Sequence, residues 1–333
     1  MEQLKSDLKY LQDKREEYQE AEKTCSHMGR HCDMQLEHTV GQSQAEFKML
    51  QQFLRDEEEC RVVAVNEEYD TKRKLINIQV EKNEDQISSL SQIINEVEEV
   101  LLTKSCPSSL NAIQGKARAL CSVADPHLLS GLLIDVSKHI GNLSVQVWKK
   151  MKDRLSFSPI ILDPNTSNLW LHLSYDLAGL RHGDTALQIP DNPRRNTKGT
   201  TVLGSEGFSS GKHSWDVEVG DLPTWSVGVA QELEEEDDKP GSPKYRVWAF
   251  AYVNGDYKNG FGGTVAVKKS PQKVQVQLDY DGKEVSFYDP EDMTELLTHK
   301  QNFTEKVFPF FCVTNSGDAK TTETKICPQE ISL

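Results

Sequence analysis

Residues 202–230 read VLGSEGFSSGKHSWDVEVGDLPTWSVGVA, and this stretch decides the fold. It holds two runs with a period of two. Trp215, Val217 and Val219 alternate with Asp216, Glu218 and Gly220. Trp225, Val227 and Val229 alternate with Ser226, Gly228 and Ala230. Successive side chains of a strand point to opposite faces, so each run has one apolar face and one small or polar face. The turn Gly220-Asp221-Leu222-Pro223 joins them. The pattern predicts a β-hairpin of a sandwich, with both tryptophans buried.

Downstream, KVQVQLDYDGKEVSFYD spans 273–289. Val274, Val276, Leu278 and Tyr280 share a face, Asp281-Gly282 supplies a tight turn, and Val285 and Phe287 return, which predicts a second hairpin. Upstream, Leu169, Leu171 and Leu173 alternate with Trp170, His172 and Ser174, as in a strand, and the polar loop DNPRRNTKGT follows at 191–200.

These residues resemble a known family. The leucine-glycine start, Phe-Ser-Ser-Gly, Lys212-His213, Trp-x-Val-Glu-Val-Gly and Trp-x-x-Gly-Val match the SPRY signature in order and spacing. LDYDGKEVSFY and KVFPFF (306–311) continue the match. PIILDPNTSNLWLHLSYDLAGLRHGD, from Pro159 to Asp184, resembles the PRY segment that precedes SPRY. Two positions depart from the pattern. Ser214 stands where relatives carry an aromatic residue. Arg246 stands where they tend to carry a glycine two residues before Trp248.

The first hundred residues are of another kind. From Met1 to Ser105 there is no proline, and the glycines are Gly29 and Gly41. Leu4, Leu8 and Leu11, then Ala21, Cys25, Met28 and Cys32, and later Ile87, Leu90, Ile94, Val97 and Leu101 recur at alternating steps of three and four. That is an interrupted heptad seam, predicting a long coiled-coil helix ending near Thr103. A lone helix of this length leaves its apolar stripe bare, so a partner helix is expected, most economically a second copy. Cys106-Pro107-Ser108-Ser109 is read as a break. A second helix is expected from Asp125-Pro126, with Leu129, Leu132, Leu133, Val136, Ile140, Leu143 and Val147 on its apolar face, folding back on the first.

Here the resemblance widens to the tripartite-motif (TRIM) family. FKMLQQFLRDEE (47–58) and the 87–101 run look like its coiled coil, and LIDVSKHIGNLSVQVWKKM (133–151) is similar to the linker helix of a fish-expanded branch. The resemblance implies antiparallel paired rods, returning linkers, and an antiviral or innate-immune setting in the ubiquitin pathway. Relatives begin with a zinc-bound RING and B-box, and no Cys/His array of that spacing precedes the coiled coil here. The expected class is therefore α plus all-β: a coiled coil at 1–104, a linker and fold-back helix at 105–158, and a PRY-SPRY sandwich at 159–333. The expected role is non-catalytic.

The composition agrees with that class. Lys plus Arg is 38 against 52 for Asp plus Glu, a formal charge of −14. Such a chain is repelled by nucleic-acid phosphates and anionic lipid, so neither is an expected partner. There is no apolar h-region at the N-terminus and no apolar run of spanning length. The seven cysteines are scattered with no CxxC pair, which fits reduced thiols and a cytoplasmic location.

Three local patterns invite a sharper reading. Gly207-Phe208-Ser209-Ser210-Gly211 fits the G-x-S-x-G nucleophile elbow, but that elbow needs a helix after it, and Lys212 onward reads as a strand. Cys25, His27, His31 and Cys32 resemble metal ligands. At helical spacing, however, the histidines share one face and the thiols lie on the seam with Met28, so packing is the expected role. No catalytic, metal or cofactor residue is assigned. ELEEEDDKPGSPK (232–244) is either a solvated acidic loop or a contact for a basic partner. Function is expected in the sandwich loops, which vary freely on a rigid scaffold. The candidates for gripping a protein target are Arg194, Arg195, Asp221, Asn254, Tyr257 and Asn315. The expected partners are a second copy, an unidentified protein and full-length TRIM relatives.

Overall fold

The computed structural model describes residues 1–103, 107–122, 125–126, 130–233, 245–314 and 323–329. It divides into two compact units, Gly41–Arg154 and Met1–Val40 with Leu155–Leu333.

Helix α1 runs unbroken from Glu2 to Thr103, as a stretch free of proline permits. Its seam is bare: Leu4 is 70% exposed, Leu11 64% and Ile87 62%. Three shorter helices follow, α2 (Pro107–Cys121), α3 (Val136–Ile140) and α4 (Leu143–Lys152). The long helix ends at Thr103, as expected, and Pro107 opens α2 at its first position, where its missing N–H is no loss. One expectation is corrected here. The fold-back segment is not one helix from Asp125. Its described helices begin at Val136, where the Asp135 side chain accepts from the Lys138 N–H at 3.0 Å. The helix is interrupted by Gly141 in an extended conformation and Asn142 at a φ of 51°.

Within the Gly41–Arg154 unit, these short helices run antiparallel to α1 through matched contacts. Lys150 pairs with Glu57 at 2.8 Å, Arg61 donates to Gln146 at 3.3 Å, and His139 meets Glu68 at 2.6 Å. Steps of four and then seven residues on α1 are answered by steps of four and seven on the returning segment. Both strands of the contact keep the helical period. Arg154 lies over the ring of buried Phe53 at 5.1 Å. Glu68 is the hub. It accepts from Lys72, from the Asp135 N–H and from His139, and those donors, Lys72 first, hold its carboxyl far below the usual carboxylate range.

The sandwich consists of two antiparallel sheets. The first, among the described residues, has the order β1 (Leu171–Leu173), β2 (Gly179–His182), β12 (Thr324–Ile326), β4 (Lys212–Glu218), β8 (Lys273–Asp279), β9 (Glu284–Asp289), β10 (Thr294–Lys300). The second has the order β3 (Thr201–Leu203), β11 (Val307–Val313), β5 (Thr224–Glu232), β6 (Tyr245–Val253), β7 (Asp256–Lys258). Trp215, Val217, Val219, Trp225, Val227 and Val229 are all at most 2% exposed, on the faces expected of them.

The connection between those two runs is not a hairpin. β4 pairs with β8 and β12, whereas β5 pairs with β6 and β11. Gly220–Pro223 carries the chain from one sheet to the other, so the two tryptophan-valine rows face each other through the core. Gly220 makes the bend at a φ of 54°, and Leu222 turns inward, 4% exposed. The downstream pair β8–β9 is a hairpin in the expected register, from Gln275↔Tyr288 to Asp279↔Glu284. Its positive φ falls on Lys283 rather than Gly282.

The glycine of Trp-x-x-Gly-Val has a steric cause. A Cβ on Gly228 would stand 2.2 Å from the Trp248 carbonyl oxygen and 2.7 Å from the Ala249 Cα, both backbone atoms of β6. The neighbouring strand cannot move aside without breaking its own ladder.

Candidate functional site

Strand β5 fixes where the candidate residues stand. It pairs with β6 from Thr224↔Val253 at one end to Glu232↔Tyr245 at the other, about 26 Å apart at strand rise. Asp221, Asn254 and Tyr257 gather at the Thr224 end. Arg194 and Arg195 lie at the Glu232 end. The six candidates are therefore not one constellation, and Asn315 falls outside the described residues, as does most of the acidic loop (234–244).

Hydrogen bonds tie the loops of the Thr224 end together. The Asn254 N–H donates to the Pro223 carbonyl at 2.8 Å, and the Thr314 N–H to the Thr224 carbonyl at 3.3 Å. The Thr224 hydroxyl donates to Asn254 Oδ1 at 3.3 Å. Gln272 Nε2 donates to Asp221 Oδ1, also at 3.3 Å. Asn254 sits at a φ of 49°, a left-handed conformation that asparagine tolerates. Asp221, Asn254 and Asp256 are exposed.

Under these loops the core ends in an aromatic cluster. Tyr257 stacks on Phe250 with centroids 5.4 Å apart and planes 4° from parallel. Tyr252 lies 4.9 Å from Tyr257, and both meet buried Trp225, at 6.2 and 6.4 Å. The two tyrosines are half-buried, and the Tyr257 hydroxyl is bonded to that of Ser270. Tyr252 was missed as a candidate. The signal was its parity: with Trp248 and Phe250 it continues the inward row of β6 to the last turn of the strand, where the core gives way to solvent. Rigid half-buried tyrosines rimmed by polar loops are the composition of a protein-binding surface.

The Glu232 end is built differently. Arg195 is 1% exposed and donates to the carbonyls of Pro190 and Pro164, each at 3.2 Å, and of Ser167. It is corrected from a surface contact to an internal brace of the PRY segment, and burial pushes its pKa down. Its neighbour Arg194 is 44% exposed in its side chain. It pairs with Asp163 at 2.8 Å and Glu232 at 3.3 Å, and lies over the Phe308 ring at 5.9 Å. The Arg194 carbonyl accepts from the Tyr245 hydroxyl at 2.7 Å. Burial pushes that phenol up to about 12. Arg194 thus holds both Glu232 and Tyr245 to the PRY segment.

The other patterns resolve locally. After Gly211, at a φ of 79°, strand β4 begins at once, so the G-x-S-x-G segment makes no elbow. His31 is half-buried, while Cys25, His27 and Cys32 are exposed. No group of three or more potential metal-binding side chains occurs among the described residues. A cleft of about 440 Å³ lies over the row Gly179–Lys325–Glu218–Lys273 on the outer face of the first sheet. Within it Lys325 pairs with Glu323 at 3.3 Å.

Comparison with known proteins follows this geometry. Residues 160–208 match the model of the SPRY-associated domain, PRY, and residues 212–325 match that of the SPRY domain. Nuclear factor 7, brain, of Xenopus laevis is 32% identical over 290 residues, covering 80% of this chain and 46% of its own length. The E3 ubiquitin-protein ligase TRIM35 of Rattus norvegicus is 29% identical over 342 residues, covering 97% of this chain and 68% of its own. The chain thus spans about half the length of the nuclear factor 7 relatives. The crystal structure of the TRIM65 PSpry domain aligns with 55% of this chain and 96% of that one, at 18% identity and a TM-score of 0.40.

Proposed function

As a PRY-SPRY chain homologous to the tripartite-motif proteins, this protein is, we propose, a dimeric, non-catalytic scaffold that grips a protein target through the Thr224 end of its sandwich. The observation that carries the reading is the convergence there of Asp221, Asn254, Tyr252 and Tyr257 on a rigid aromatic base. The bare seam of α1 supports self-association through that helix. Two sandwiches on one dimer would raise apparent affinity for a repeated target, by about 100- to 10,000-fold where the geometry lets both engage. A ubiquitin-pathway setting is suggested by the printed names of the ligase relatives, and an innate-immune one by the sequence resemblance to the TRIM family. The free thiols suit the cytoplasm, and no described helix is long and apolar enough to cross a membrane.

The test is affinity capture from cytosol with the full chain, with the sandwich from residue 159 onward, and with a Tyr252→Ala, Tyr257→Ala double variant. A target retained by the first two and lost by the third supports the reading. A target that ignores the double variant sinks it. Sedimentation at micromolar concentration tests the dimer, which a monomer would refute.

One observation favours a second reading. The matched relatives include E3 ubiquitin-protein ligases, and this chain aligns with part of their length. It would then be the substrate-recognising part of such a ligase. Ubiquitin transfer to the captured target, seen with a longer product and not with this chain alone, would favour it.

A further inference from the structure

We propose that the Thr224 end reads a cationic side chain, arginine in particular, presented on an exposed loop of the protein partner; this rests on the binding function assigned to that end above. The first support is the shelf. Tyr252 and Tyr257 lie 4.9 Å apart with planes 42° from parallel, and both rest on Trp225. Their half-buried rings are held in place before any partner arrives, so little side-chain freedom is lost on binding. The face of such a ring attracts a cation, and guanidinium does so while stacking flat.

The second support is the rim. Asp221 comes from the sheet-to-sheet connection and Asp256 from the start of β7, two turns that the Asn254–Pro223 bond holds side by side. Asp221 accepts from the neutral amide of Gln272, and among the described residues neither carboxylate makes an ion pair. The lysines nearby are otherwise placed. Lys269 is paired with Glu291 at 2.6 Å. Lys273 lies opposite Glu218 on the outer face of the first sheet and acts on Cys327. Lys258 is half-buried in β7, and Lys268 is exposed in the loop between β7 and β8, so the complementarity is local to the shelf rather than a uniform negative field. A tyrosine shelf rimmed by carboxylates that make no ion pair among the described residues is matched by one common side chain that is flat, always charged and forked, which is arginine. The chain's −14 charge favours encounter with such a partner.

The probe is a phage library of disulfide-closed random loops, panned against the full chain. Recovered loops are then measured as synthetic peptides against wild type, Tyr252→Ala, and the surface double variant Asp221→Asn, Asp256→Asn. Circular dichroism and melting confirm that each variant is folded. The expected loops carry arginine at a fixed position, weaken about tenfold when it is replaced by citrulline, and weaken by a similar factor on the double variant. Loops that need Tyr252 but lack a basic residue, or ignore the double variant, overturn this inference and leave the binding function standing. A panning that yields no loop dependent on Tyr252 overturns both.

Discussion

Replacing Arg195 with methionine should unfold the sandwich far more readily than any change at Arg194, although the two are adjacent. The Arg195 guanidinium is 1% exposed and donates to three backbone carbonyls, those of Pro164, Ser167 and Pro190. Methionine nearly fills the volume but supplies no donor. Each carbonyl left buried without a partner costs about 1–3 kcal/mol, and water entering at the rim returns part of it. A net loss of roughly 3–5 kcal/mol follows. For a domain of this size each kcal/mol moves the midpoint by about 2–4 °C, so melting should fall by roughly 6–20 °C. Arg195→Lys keeps the charge but not the planar fork, and should land between. Arg194→Ala removes partly exposed ion pairs and should cost about 1 kcal/mol or less. Thermal melting followed by tryptophan emission reports on the sandwich, because Trp215, Trp225 and Trp248 lie in its core. An Arg195→Met midpoint within about 1 °C of wild type would refute the reasoning, as would a larger loss from Arg194→Ala.

Three further outcomes are expected. Gly228→Ala should destabilise the sandwich by about 1–3 kcal/mol or more, because its Cβ meets backbone rather than a movable side chain; an unchanged urea midpoint would contradict this. Glu68 has a carboxyl pKa depressed from the usual 4.5, so its contribution is fully present above about that pH and fades as pH falls toward the depressed value. Amide exchange across 135–152 should therefore quicken on acidification in wild type, and be quick already at neutral pH in Glu68→Gln. Exchange that does not respond to the substitution argues against the hub. Finally, Cys60 and Cys121 are exposed and lie off the named seam residues of α1, whereas burial pushes the Cys312 thiol up. Mass spectrometry after brief alkylation should find those two labelled and Cys312 spared; equal rates would count against the packing around β11.

The sandwich was legible where its information is local. Alternation in 273–289 set both the buried face and the partner strand, because a short turn leaves a strand nowhere else to pair. In 215–229 the same alternation set the buried faces but not the pairing, since a hairpin and a crossing between sheets bury identical residues. The clue was Leu222, an apolar side chain within an otherwise polar turn and now 4% exposed. Helix α2 was hidden by Pro107, which suits a helix start as well as a stop. The site divides along the same line. Tyr257 and Asn254 stood out as loop residues, but nothing local separates Arg194 from Arg195. Only the fold decides which of two neighbouring arginines turns inward.

The matched contacts between α1 and the returning helices bear on how this chain can change length. Deleting one residue between His139 and Lys150 would rotate everything beyond it by about 100° about the helix axis. Lys150 would then swing away from Glu57, while His139 kept its place on Glu68. Removing three or four residues would nearly restore the phase, and seven would restore it more closely. Tolerated insertions and deletions in this segment should therefore come in whole helical turns, with single-residue indels confined to stretches outside it.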